Sequence, residues 1–149
     1  MRMTTTVASK PPPKGWPRIS ASIRYREAGK AIDFLCAAFG FEIQLKVDGE
    51  GGRIEHAELA LGGGLIMLGD VDRERAWQQS PLDVGGVNTQ SLCIHIDDAD
   101  AHCARARAAG ATVASEPKTT DYGEGYWADR TYEAVDIEGH HWWFMQRVS

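Results

Sequence analysis

Apolar and polar residues alternate along Ile19-Ser-Ala-Ser-Ile-Arg-Tyr25, with Ile19, Ala21, Ile23 and Tyr25 on one face and Ser20, Ser22 and Arg24 on the other. A period of two predicts a half-buried strand. The period then lengthens: Ala28, Ile32, Leu35 and Phe39 recur at helical spacing, and Gly40 supplies the stop. Phe41–Val47 and Ile54–Leu61 read as strands flanking the turn Asp48-Gly-Glu-Gly-Gly52. Leu65–Leu68 follows Gly62-Gly-Gly64 as a fourth strand.

The same order returns further along the chain. Asp70 to Val87, polar and containing Pro81, Gly85 and Gly86, reads as a connector, with a helical turn expected over Arg73 to Gln79. Within Thr89 to Ile96, Leu92, Ile94 and Ile96 alternate with Ser91, Cys93 and His95. Asp97 or Asp98 caps an alanine-rich helix that Gly110 ends. Thr112–Ala114, Arg130–Val135 and His141–Gln146 supply three more strands, and Glu116 to Trp127 forms a loop between the first two. A duplication of this kind decides the fold class. It predicts an α+β protein of two tandem βαβββ modules, at 18–70 and 88–149, joined by a linker at 71–87. Residues 1–17, with Pro11-Pro12-Pro13, read as a flexible lead-in anchored by Trp16.

A chain of 149 residues with a net charge of −5 has no basic stripe for nucleic acid. The pairs Arg73/Arg75 and Arg105/Arg107 read as solvated helix faces. No apolar run spans a bilayer and no signal-type segment opens the chain, so a cytoplasmic protein with neither nucleic-acid nor membrane partners is expected. Cys36, Cys93 and Cys103 lack Cys-x-x-Cys spacing and suit buried thiols in a reducing compartment. The acidic balance tolerates a cationic small molecule.

The closing segment Arg130-Thr-Tyr-Glu-Ala-Val-Asp-Ile-Glu-Gly-His-His-Trp-Trp-Phe144, together with Ala31 to Phe41, resembles the vicinal-oxygen-chelate superfamily. That superfamily comprises glyoxalases, extradiol dioxygenases, fosfomycin-inactivating enzymes and bleomycin-binding resistance proteins. Ile137 stands where the family usually has proline. The resemblance implies a curved mixed-sheet groove, often completed in a homodimer, and four metal-ligand positions on the first and fourth strands of each module. Counting from Phe34, Asp97 and Asp136 places those positions at Ser20, Met67, Ser91 and Trp143. Two hydroxyls, a thioether and an indole are not a ligand set for a divalent ion, so neither a metal nor another cofactor is expected.

If Ser20 and Ser91 face the groove, alternation sends Ser22, Arg24, Cys93, His95, His141 and Trp143 there too. Tyr126 and Trp127 either cover its mouth or fill space between the modules. His56 with Glu58 reads as a polar row on a half-exposed strand, and His95 with His141 as groove wall or, less simply, a surrogate ligand pair. Cys93 reads as a structural thiol. Two functions follow from the resemblance. One is a metal-free protein sequestering an aromatic or cationic compound. The other is a glyoxalase-like lyase, isomerase or dioxygenase using a displaced metal or acid–base chemistry.

Overall fold

The computed structural model describes residues 7–149; the first six residues of the expected lead-in lie outside them. β1 (Ala21–Tyr25), α1 (Ala28–Phe39), β2 (Glu42–Asp48), β3 (Ile54–Leu61) and β4 (Gly64–Asp70) form the first half. β5 (Leu92–His95), α2 (Ala99–Ala108), β6 (Thr112–Asp121), β7 (Ala128–Val135) and β8 (His141–Arg147) form the second. Each half builds a four-stranded sheet, in the orders β1-β4-β3-β2 and β5-β8-β7-β6. In both, the first and last strands run parallel and the other pairs antiparallel.

The apolar stripe of α1 explains how the halves join. Ala31, Ile32, Leu35, Ala38 and Phe39 are fully buried, and the Phe39 ring lies 5.4 Å from Trp142 and 4.7 Å from Phe144 of the other half. Arg105 of α2 donates to the carbonyls of Ala37 at 3.0 Å and Cys36 at 3.2 Å, satisfying acceptors at the end of α1. Ile23, Tyr25, Leu59 and Leu68 of one sheet and Tyr132, Trp142 and Phe144 of the other belong to this single core. The sheets therefore meet through their helix-bearing faces, and the opposite face of each is left open to solvent.

The two helix starts differ. Asp98 caps α2 by accepting from Ala101 N–H at 3.0 Å, whereas α1 has no side-chain cap of its own. Asp70 accepts from Ala28 N–H at 2.9 Å, and Glu138 of the second half accepts from Arg26 N–H at 2.6 Å and Glu27 N–H at 2.8 Å. Ser80 of the connector donates to the same Glu138 at 2.6 Å.

Several boundaries depart from the sequence expectation. β1 starts at Ala21 and β5 at Leu92, so Ser20 and Ser91 precede their strands. Arg73 to Gln79 forms turns, closed by Arg75 N–H to the Asp72 carbonyl at 3.0 Å and Gln78 N–H to the Arg75 carbonyl at 2.9 Å, rather than a helical segment. β6 continues to Asp121, where a loop from Glu116 was expected. Pro117 lies on this edge strand inside a register shift between Ser115 and Lys118, where a missing N–H is tolerated. Trp16 is half-buried and donates its N–H to the Pro13 carbonyl at 3.0 Å.

Candidate functional site

Cross-strand partners share a face of a sheet, so the register defines both open faces. On the first sheet Ser22 pairs with Met67, Met67 with Glu58, and Glu58 with Leu45. On the second, Cys93 pairs with Trp143, Trp143 with Glu133, and Glu133 with Ser115. The two rows are equivalent by the internal repeat. Each carries a glutamate beside the bulky residue of its last strand.

Those glutamates are held by histidines. His56 Nε2 lies 2.9 Å from Glu58, whose side chain is 10% exposed. His141 Nδ1 bonds Glu133 across β7 and β8. Neither carboxylate figured among the expected site residues. A glutamate pointing to the same face as His56 was the available signal for the first. The second depends on a partner in the neighbouring strand.

The remaining expected residues are dispersed. Arg24 lies on the first open face and donates to the Asp70 carbonyl at 3.4 Å, over Gly69, where a Cβ would come within 2.9 Å of its guanidinium. The Ser20 hydroxyl is buried with no hydrogen-bond partner among the described residues, and Ser91 is exposed. His95 pairs with Met145, four residues along β8 from His141, about 13 Å at the rise of a strand. The two histidines are not a pair.

Cys93 is exposed, not a buried thiol, while Cys36 is half-buried and Cys103 buried. Partial desolvation of the Cys93 sulfur, reinforced by Asp129, pushes its thiol up and favours the protonated form. Tyr126 and Trp127 lie in the loop between β6 and β7 and are exposed, rather than filling space between the modules. Tyr122 N–H reaches the Trp127 carbonyl at 3.0 Å, the Tyr126 and Trp127 rings stack at 4.9 Å, and the Arg147 guanidinium sits 6.0 Å over Trp127. This aromatic group stands at the His95 end of the second face.

A cavity of about 890 Å³ opens between the halves, walled by apolar residues such as Ala21, Phe41, Ile66, Leu92 and Ile94. Of the expected set, only Cys93 and His95 reach it, so cavity and second face communicate at the β5 edge. His102 on its wall is fully engaged: Tyr132 bonds Nδ1, and Nε2 donates to the Phe39 carbonyl at 2.9 Å. Desolvation lowers its pKa, outweighing the Phe39 bond, so the ring is neutral.

Among the described residues, no three His, Cys, Asp or Glu side chains are grouped to hold a metal ion. The positions Ser20, Met67, Ser91 and Trp143 do not fit the divalent ion found in metal-using relatives, and each His–Glu pair offers only two donors. No helix among these residues is long and apolar enough to cross a membrane.

The sequence profile of the glyoxalase/bleomycin resistance protein/dioxygenase superfamily matches residues 19–144. The chain belongs to that superfamily. An uncharacterized protein of Mycobacterium bovis is 33% identical over 134 residues, which cover 89% of this chain and 84% of that one. Among solved structures of the superfamily's fold, TioX from Micromonospora sp. ML1 is 28% identical with a TM-score of 0.68, covering 89% of this chain and 99% of its own. TnmS3, an antibiotic binding protein from Streptomyces sp. CB03234, is 25% identical with a TM-score of 0.62, covering 87% and 93%.

Proposed function

We propose that this member of the superfamily sequesters a planar aromatic cation, without a metal, in a groove formed when the first open face of one copy meets the second open face of another. The observation that carries this reading is the pair of equivalent rows, Ser22–Met67–Glu58–Leu45 and Cys93–Trp143–Glu133–Ser115. Facing one another, they offer a thioether and an indole to a flat ring, with a carboxylate beside each to meet positive charge. The poor metal-ligand set leaves those surfaces suited to holding a molecule rather than transforming it. Similarity to TnmS3, an antibiotic binding protein, supports a small-molecule ligand. In one chain the faces point away from each other, so the reading requires a homodimer.

The test combines light scattering of the full chain with tryptophan-fluorescence titration by ethidium and berberine, using a neutral aromatic control. A dimer that binds a cation at one site per groove, with affinity unchanged by EDTA and weakened by Glu133→Gln, is the expected result. A monomer, about one tightly held metal per chain by elemental analysis, or equal affinity for the neutral control would each overturn it.

A further inference from the structure

Away from both open faces, four arginines distant in sequence converge on one pocket of about 390 Å³. Arg26 comes from the β1–α1 turn, Arg53 from the turn just before β3, and Arg73 and Arg75 from the connector. The fold brings them together because Val71 N–H bonds the Tyr25 carbonyl at 2.9 Å, which starts the connector beside Arg26. Arg53 Nη2 then donates to the Val71 carbonyl at 3.0 Å and closes the ring.

The charges do not cancel. Arg26 pairs with Asp83, and Arg75 with Asp72 at 3.4 Å, whereas Arg53 touches only a carbonyl and Arg73 has no ion-pair partner among the described residues. Two net positive charges therefore remain, on a protein whose total is −5. With two carboxylates against four guanidiniums the pocket keeps a positive excess, and the planar forks of its arginines match the oxygens of a phosphate. The local field would draw an anion that the rest of the surface repels.

The pocket floor is also built. Gln78 is 4% exposed, and its Oε1 accepts from Asp72 N–H at 3.0 Å. That bond fixes the amide and leaves Nε2 as a donor with no protein acceptor among the described residues, on a side chain that lines the pocket. That N–H is a free donor that an anion entering the pocket could accept from.

We infer that this pocket is a binding site for a phosphate monoester dianion, held by Arg53, Arg73 and Arg75 over the Gln78 amide. It shares no residue with the proposed groove, so either site can fail without the other.

Calorimetric titration of the full-length protein with phenyl phosphate at pH 8 and fixed ionic strength tests it, with phenol as the uncharged control. The expected result is saturable binding at one site per chain and none for phenol. Arg73→Gln should weaken it about tenfold or more, as loss of a charge-assisted hydrogen bond does, with the thermal midpoint unchanged because Arg73 holds no protein partner. Arg75→Gln should act in the same direction. Absence of saturation by phenyl phosphate, or wild-type affinity in both variants, would overturn the assignment.

Discussion

The Tyr25 hydroxyl, at the end of the first strand, donates to Asp136 Oδ2 at 2.7 Å across 111 residues of chain. Both groups are buried, and the carboxylate also accepts from Trp142 Nε1 at 3.1 Å and from the N–H groups of Glu138 and His140 at 3.0 Å. Burial, then the neighbouring Asp136 charge, pushes the Tyr25 hydroxyl well up, so it remains a donor at any ordinary pH. Tyr25→Phe should cost about 1–2 kcal/mol, since Asp136 keeps three donors. Asp136→Ala orphans all of them and should cost more than about 3 kcal/mol. Urea unfolding of the two variants reads the difference.

Trp142 and Trp143 are neighbours with opposite duties. Trp142 is fully buried against Phe39 and Phe41, whereas Trp143 lies half-buried on the open face. Trp142→Ala should lose about 3–5 kcal/mol of stability. Trp143→Ala should leave the urea midpoint nearly unchanged and reduce affinity for an aromatic cation about tenfold, as loss of a stacking face does.

His102 makes folding sensitive to acid. Its folded pKa is lowered, chiefly by desolvation, below the ordinary 6.5. The unfolded chain therefore binds a proton that the native chain refuses. The contribution is fully present above about pH 6.5 and is lost as pH falls from there towards the folded value. Thermal midpoints measured from pH 8 to pH 5 should fall more steeply for the wild type than for His102→Gln.

Gly40 ends α1 with φ +87°, and a Cβ there would lie 3.1 Å from Arg105 Nη1. Gly40→Ala should cost about 1–2 kcal/mol through left-handed backbone strain and displacement of the Arg105 cap. Denaturant midpoints of Gly40→Ala and of Gly51→Ala, whose added Cβ meets nothing, separate crowding from strain.

What was legible in the sequence was periodic. Ile23 and Tyr25, or Leu35 and Phe39, announce their faces because their neighbours in the chain differ in polarity. The superfamily could be read from Arg130 to Phe144 for a similar reason, since a turn between two paired strands keeps its spacing. β6 was harder. Pro117 looks like a breaker unless one knows that it occupies an edge strand at a register shift. The glutamates of the open faces and the arginine pocket depend on partners brought together by folding. Glu133 meets His141 across two strands, and Arg26 meets Asp83 across 57 residues. The exposure of Cys93 was missed because β5 is an edge strand, a property of sheet order rather than of local pattern.

The unequal helix starts have a consequence for the divisibility of the chain. α2 carries its own cap in Asp98, but α1 borrows the Glu138 carboxylate from the other repeat. The first repeat is thus an obligate client of the second: cut free at the connector, it would expose the amides that Glu138 now serves, and only the returning second repeat would restore them.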